Sequence, residues 1–325
     1  MRYIKLLAIF FLMMALTACE KEILYDDIAP EPLLVVDGLQ HVGEPAYLCV
    51  EKSSFYINSE SDFRLKDVHA DLYVNGVFKE TLQVRDSLIM ETYAVWDEEL
   101  GMEHIEEHLR HAFNYCEGTY LLCEGDELRF EVSSSEFEET AVAETKMPYL
   151  PNVISFDTIR TEESIYGVKT IYFSLEIDDS VGKDYYNLYP QEGLDGFVSS
   201  DPVFADFMNI VHVDDLFGQS DYYGRGSYNL FEDSYFDGTR YSVSMKIDQY
   251  SEDGLYYEPF VVEVSRVDYG FYQYRKSLNL YQSNSGGIVG MFTEPAQVYS
   301  NVQNGVGLVS AQSQPVIMTI DLTER

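Results

Sequence analysis

Positive charge is what this 325-residue chain has least of: 21 Lys+Arg stand against 56 Asp+Glu, a net charge of −35. That scarcity excludes a protein that holds nucleic acid by neutralising phosphates, and it excludes steering of anionic substrates or lipids. Long apolar runs are also missing. The longest, Leu6–Leu16, rises about 16 Å as a helix, short of the roughly 30 Å hydrocarbon core. Motifs are scarce too. No Cys-x-x-Cys or Cys/His spacing suited to zinc occurs, no G-x-S-x-G elbow, and no repeat of fixed period. Gly224-Arg225-Gly226 and Gly286-Gly287 lack the strand-then-helix setting of a phosphate loop. Tryptophan occurs once, against 27 Tyr and 19 Phe, and 46% of residues are hydrophobic. A disordered chain is thereby excluded, and flat rings in that number favour pleated sheets.

The N-terminus is the most informative segment. Arg2 and Lys5 precede the apolar run, which ends in Leu16-Thr17-Ala18-Cys19. This order fits a signal peptide over residues 1–18. Leu16–Cys19 resembles the lipobox of bacterial lipoproteins, in which the cysteine is acylated and becomes the first residue. Several acyl chains on Cys19 would give stable anchoring where a single chain is marginal. Cleavage there leaves 19 basic and 56 acidic residues, a net charge of −37. Glu20-Lys21-Glu22 resembles the acidic export signal of surface lipoproteins of Bacteroidetes, which implies an outer-membrane protein facing the cell exterior.

Residues 19–31 read as a tether ending near Pro30 and Pro32. Short strand signals follow, the clearest being Val68–Val74, then Asn75-Gly76, then Val77–Leu82, a hairpin signature. Seven short strands over residues 32–148 suggest an immunoglobulin-like β-sandwich. Pro148 and Pro151 mark the expected boundary with a second β-rich domain over 149–325, carrying short helical insertions. Its strands are expected at Val153–Phe156, Lys169–Ile177, Tyr185–Tyr189, Thr239–Ile247, Phe260–Val267 and Val316–Leu322. Asp201-Pro202 opens one expected helix. Phe271, Tyr274, Leu278 and Tyr281 give a second over 269–281.

Of the cysteines beyond Cys19, Cys116 and Cys123 could close a small loop around Gly118. Alternatively Cys49, Cys116 and Cys123 are three thiols acting as small hydrophobes.

Three groups invite chemical readings. Met102, Ile105, Leu109 and Ala112 keep helical spacing, so a helix is expected over Trp96–Phe113, with His104, His108 and His111 at i, i+4 and i+7. His104-Ile105-Glu106-Glu107-His108 satisfies the H-x-x-E-H string of inverted zinc peptidases. A metal-dependent hydrolase built on His104 and His108 is therefore an alternative, although a solvated helical face is the plainer reading. Asp178-Asp179, Asp214-Asp215 and Asp233 with Asp237-Gly238 could offer calcium oxygens. They lack the spacing of a calcium loop and read as solvated turns. Tyr185-Tyr186, Tyr222-Tyr223 and Tyr256-Tyr257 could stack on a sugar. Neighbours in a strand point to opposite faces, so at most one of each pair is expected in a core.

Taken in order, the chain resembles the DUF4249 family of Bacteroidetes lipoproteins. The resemblance is carried by the lipobox leading to Leu34-Val35-Val36-Asp37-Gly38, by Gly125-Asp126-Glu127-Leu128-Arg129-Phe130-Glu131-Val132, by Phe231–Gly238, and by Pro295–Val309. In the last motif Asn304 and Val309 stand where the family has a glycine and an aromatic. The resemblance supplies no reaction, catalytic residue, metal or cofactor. It implies a non-enzymatic accessory or binding partner of a TonB-dependent outer-membrane transporter. A stand-alone glycan- or peptide-binding surface lipoprotein is the other non-catalytic reading.

Overall fold

The computed structural model describes residues 31–54, 61–97, 102–163, 169–190, 229–249, 260–285 and 297–320. Almost all of them belong to one compact unit, Leu33–Ser53 with Glu60–Arg325. The first half holds β1 (Leu34–His41), β2 (Pro45–Lys52), β3 (His69–Val74), β4 (Val77–Thr81), β5 (Gln83–Asp97), β6 (Met102–Leu121), β7 (Glu127–Ser133) and β8 (Ala141–Lys146). After it come β9 (Val153–Glu163), β10 (Lys169–Asp178), β11 (Tyr185–Pro190), β12 (Asn229–Glu232), β13 (Arg240–Gln249) and β14 (Phe260–Val267). Helix α1 (Tyr269–Ser285) and strands β15 (Val302–Gln303), β16 (Val309–Gln312) and β17 (Val316–Ile320) close the chain. The protein is mainly β, as its composition indicates. Among the described residues no helix is long and apolar enough to cross a membrane. The expected helix at Asp201 and the segment around Cys19 lie outside the described residues.

One nine-stranded sheet runs β12-β11-β14-β16-β1-β2-β6-β5, with β17 beside β14. A five-stranded sheet, β15-β8-β7-β3-β4, covers one end of it, and a three-stranded sheet, β13-β10-β9, packs with the other. Two sandwiches thus share one wall. In the first core Leu48 and Val50 of β2 meet Leu72 of β3 and Phe130 and Val132 of β7, all essentially without solvent contact. In the second, Phe173 and Leu175 of β10 meet Tyr186 of β11, Phe231 of β12 and Val264 of β14. Each such side chain contributes roughly 1.5–3 kcal/mol by leaving water.

Local chemistry explains the turns. Asn75 and Gly76 both have positive φ, 53° and 77°, the conformation that a two-residue hairpin loop needs and that these residues tolerate. Asp268 caps α1 by accepting the Phe271 N–H at 2.9 Å, and its other oxygen accepts the Thr145 hydroxyl at 2.6 Å. Among the described side chains of α1 only the first turn is well buried, where Phe271 and Tyr272 pack with Tyr185 and Val267. Tyr281 is exposed, so the apolar stripe expected along the whole helix ends early.

The two sequence halves are stitched by β1 and β16, which run parallel with Gly38 opposite Val309. Asn301 reinforces the seam. Its amide donates to the Val309 carbonyl at 2.7 Å and to the Glu144 carbonyl at 3.0 Å, and its oxygen accepts the Val309 N–H. Asn304 has φ 56°, a left-handed residue where glycine is the usual occupant and asparagine the next best.

The expected helix over Trp96–Phe113 is not formed among its described residues. Residues 96–97 and 102–113 are strand, β5 and β6 pairing as a long hairpin. Its register shows why the spacing misled. Ile89 opposes His111 and Met90 opposes Leu109, leaving Arg110 as a bulge. An extra residue turns a period of two into steps of four and three. Ile105, Leu109 and Ala112 therefore share one strand face at a spacing that imitates a helix.

Candidate functional site

The β5–β6 hairpin outgrows the sandwich that roots it. At its base β6 pairs with β2 as far as Asn114, and residues 61–63 bond to both sides of the Ala112 peptide. Beyond Ala112, among the described residues, β6 pairs with β5 alone. Met90–Asp97 and its partner form a two-stranded ribbon about 25 Å long at ~3.3 Å per residue. Such a ribbon has no core side, and its apolar residues remain in water. Met90, Trp96 and Ile105 lie on one face, Ile89 and Tyr93 on the other; Trp96 is 61% and Ile105 75% exposed. Thr92 opposite Glu107 and Glu91 opposite His108 interrupt these apolar residues, but Trp96 and Ile105 sit together near the outer end, and exposed apolar clusters of this kind mark contact sites.

His104, His108 and His111 all lie on strand β6 of this hairpin. The backbone positions of His104 and His108 are four strand residues, about 13 Å, apart, whereas one zinc needs both nitrogens within about 2.1 Å. His108 pairs instead with Glu106 at 3.1 Å, and His111 with Glu51 at 2.7 Å. The helix on which the hydrolase reading was built is not formed, so His104 and His108 are not one helical turn apart. At the root the outer sheet face carries Tyr47 stacked on Tyr115 at 5.7 Å, with the Arg85 guanidinium over the Tyr115 ring. Sequence reasoning missed this face, although alternating Tyr47, Cys49 and Glu51 carried its signal.

A second feature lies in the other sandwich. The β10–β11 and β12–β13 turns bring Asp179, Asp184 and Asp233 together, with carboxylate oxygens within 4.8 Å of one another. Asp179 and Asp233 are buried, which corrects the expectation of solvated turns. Asp179 accepts the Tyr186 hydroxyl and the Gly238 N–H, and Asp233 accepts the Asp184 N–H at 2.8 Å. Arg266 reaches in from β14 and pairs with Asp184 at 3.2 Å and Asp179 at 3.7 Å, while donating to the Tyr186 hydroxyl at 3.0 Å. One arginine against three carboxylates leaves an excess of negative charge. Burial, and then the neighbouring acids, raise Asp233 to about 6, although the Asp184 N–H opposes the shift; burial raises Asp184 as well. The geometry is that of a structural clasp between two turns. Asp214-Asp215 lies outside the described residues.

The clasp makes a prediction. A carboxyl raised in the folded state binds its proton more tightly there than in the unfolded chain. Stability therefore falls as pH rises from about 4 through 6. Asp233→Asn keeps an oxygen for the Asp184 N–H and removes that charge. It is expected to raise the melting temperature at pH 7.5 and change it little at pH 4.5. Thermal melts at the two pH values check this, and an equal effect at both would show that Asp233 is not the titrating group.

Tyr185 and Tyr186 are both buried, one under α1 and one in the second core, because this part of the sheet is covered on both sides. The expectation of at most one core tyrosine is corrected, and this pair presents no sugar platform. Tyr222-Tyr223 and Tyr256-Tyr257 lie outside the described residues. The Cys116–Cys123 bridge is absent. Cys49, Cys116 and Cys123 are free, with Cys123 exposed and Cys116 buried. Desolvation raises the Cys49 thiol to about 11 and Cys116 to about 12, so neither is an effective nucleophile at neutral pH.

A family model described as a domain of unknown function (DUF4249) matches residues 20–316. No curated protein matches the chain.

Proposed function

The chain belongs to the DUF4249 family, and from that premise we propose a non-enzymatic lipoprotein of the cell envelope. It is held in the outer membrane by lipid on Cys19, faces the cell exterior, and serves a TonB-dependent outer-membrane transporter as an accessory or binding partner. The lipobox supports the anchor. The observation that carries the partnership is the β5–β6 ribbon, whose exposed apolar residues lie outside the sandwich cores with Tyr93 and Trp96 at its outer end. Aromatic residues of this kind dominate the energetics of protein contacts, each costing about 2 kcal/mol or more when truncated at a central position.

The test is co-purification from detergent-solubilised outer membranes. The native chain is expected to bring a stoichiometric transporter with it. Tyr93→Ala with Trp96→Ala should weaken that association at least about thirtyfold, the equivalent of some 2 kcal/mol. Cys19→Ser should release the protein from the membrane. A chain that purifies alone from native membranes overturns the proposal.

A further inference from the structure

The ribbon has an edge as well as two faces. β5 is the last strand of the nine-stranded sheet, and among the described residues nothing pairs with its outer side. Edge strands are normally blunted by proline, charged side chains, bulges or short length. β5 has fifteen residues without Pro, Gly or Lys; its charges are Arg85, Asp86, Glu91 and Asp97, and the hairpin's bulge sits on β6 instead.

We propose that the β5 edge is a homodimer seam: two copies pair β5 to β5, antiparallel, about a two-fold axis at Met90. This rests on the ribbon's being a contact element, as proposed above, but uses its backbone edge and leaves its faces to another partner. Self-complementarity argues for a second copy. In this register each residue opposes its mirror position: Met90 meets Met90, Leu88 meets Thr92, and Val84 meets Trp96. The charged positions fall opposite neutral ones, Arg85 against Val95, Asp86 against Ala94 and Glu91 against Ile89. No like charges stand face to face, although the chain as a whole is strongly acidic. Opposed apolar pairs stabilise a strand pairing, and a like-charge pair would weaken it. A two-fold seam also closes on itself and cannot propagate into a fibre. The remaining cost is long-range repulsion between acidic bodies, which salt screens beyond about 8 Å at physiological ionic strength.

The experiment uses the full chain in mild detergent, with Cys123→Ser removing the exposed thiol. Opposite residues lie about 5 Å apart, within reach of a short bis-maleimide. Met90→Cys is expected to give a crosslinked dimer as its main product, with a yield that rises as salt is added. Trp96→Cys alone should give no more than the Cys123→Ser parent, because its own copy lies roughly 40 Å away. Trp96→Cys mixed with Val84→Cys should crosslink. Adding Leu88→Lys and Thr92→Lys to Met90→Cys sets lysines against each other and should abolish the dimer without changing the circular dichroism. Crosslinking of Met90→Cys no greater than the parent overturns the seam, and so does equal crosslinking by Trp96→Cys alone. If the transporter still co-purifies in that case, the seam alone falls; if it does not, the reading of the ribbon falls too.

Discussion

Arg266→Met is expected to lose about 3–5 kcal/mol of stability at pH 8, the usual cost of removing one partner from a buried ion pair. Arg266 is 5% exposed, and among the described residues it is the cation that pairs with both Asp179 and Asp184. Methionine fills a similar volume but leaves three neighbouring carboxylates without a counter-charge. The loss should shrink at pH 5. Burial already raises the Asp184 carboxyl and Arg266 holds it down, so without the guanidinium it rises further. The folded state then holds extra protons, and its disadvantage grows as pH rises through that raised titration range. Urea denaturation at pH 5 and pH 8 checks both points. A loss of equal size at the two would mean that Arg266 acts by packing alone.

Gly307→Ala is expected to cost at least about 3 kcal/mol, combining backbone strain with a collision that cannot relax. Gly307 has φ 123°, and a Cβ there would lie 2.2 Å from the Val36 carbonyl oxygen. That oxygen belongs to β1, whose neighbouring groups bond to Val306 and Leu308 at 2.9 Å. Neither backbone can retreat without opening the parallel seam. Gly76→Ala is the control. Its φ is also positive, at 77°, but nothing lies within 4 Å of the added carbon, so only the conformational cost of about 1 kcal/mol remains. Chemical denaturation of the two variants separates clash from conformation.

What could be read from the sequence was whatever local chemistry dictates. Asn75-Gly76 encoded its hairpin because two adjacent positive φ values admit few other residues. The alternation in Glu127–Val132 and Lys169–Ile177 encoded half-buried strands. The bulge at Arg110 could not be read, since one inserted residue converts strand periodicity into a helix-like stripe. The clasp was hidden for a different reason. Asp179 and Arg266 are far apart in the chain, and no local rule distinguishes a buried aspartate in a turn from a solvated one. Tyr185 and Tyr186 misled because the alternation rule assumes one wet face, and here both faces of the sheet are covered.

The parallel pairing of β1 with β16 also sets an order of events. Asp37 accepts the Leu308 N–H across 271 residues of chain. The first sandwich therefore lacks an inner strand of its own wall until nearly all of the polypeptide is present. Contacts of such separation slow folding, because a long loop must close before any contact rewards it. Leu34 and Val36 share their core with Val302, Val309 and Ala311, so that core is complete only once the C-terminal segment is in place.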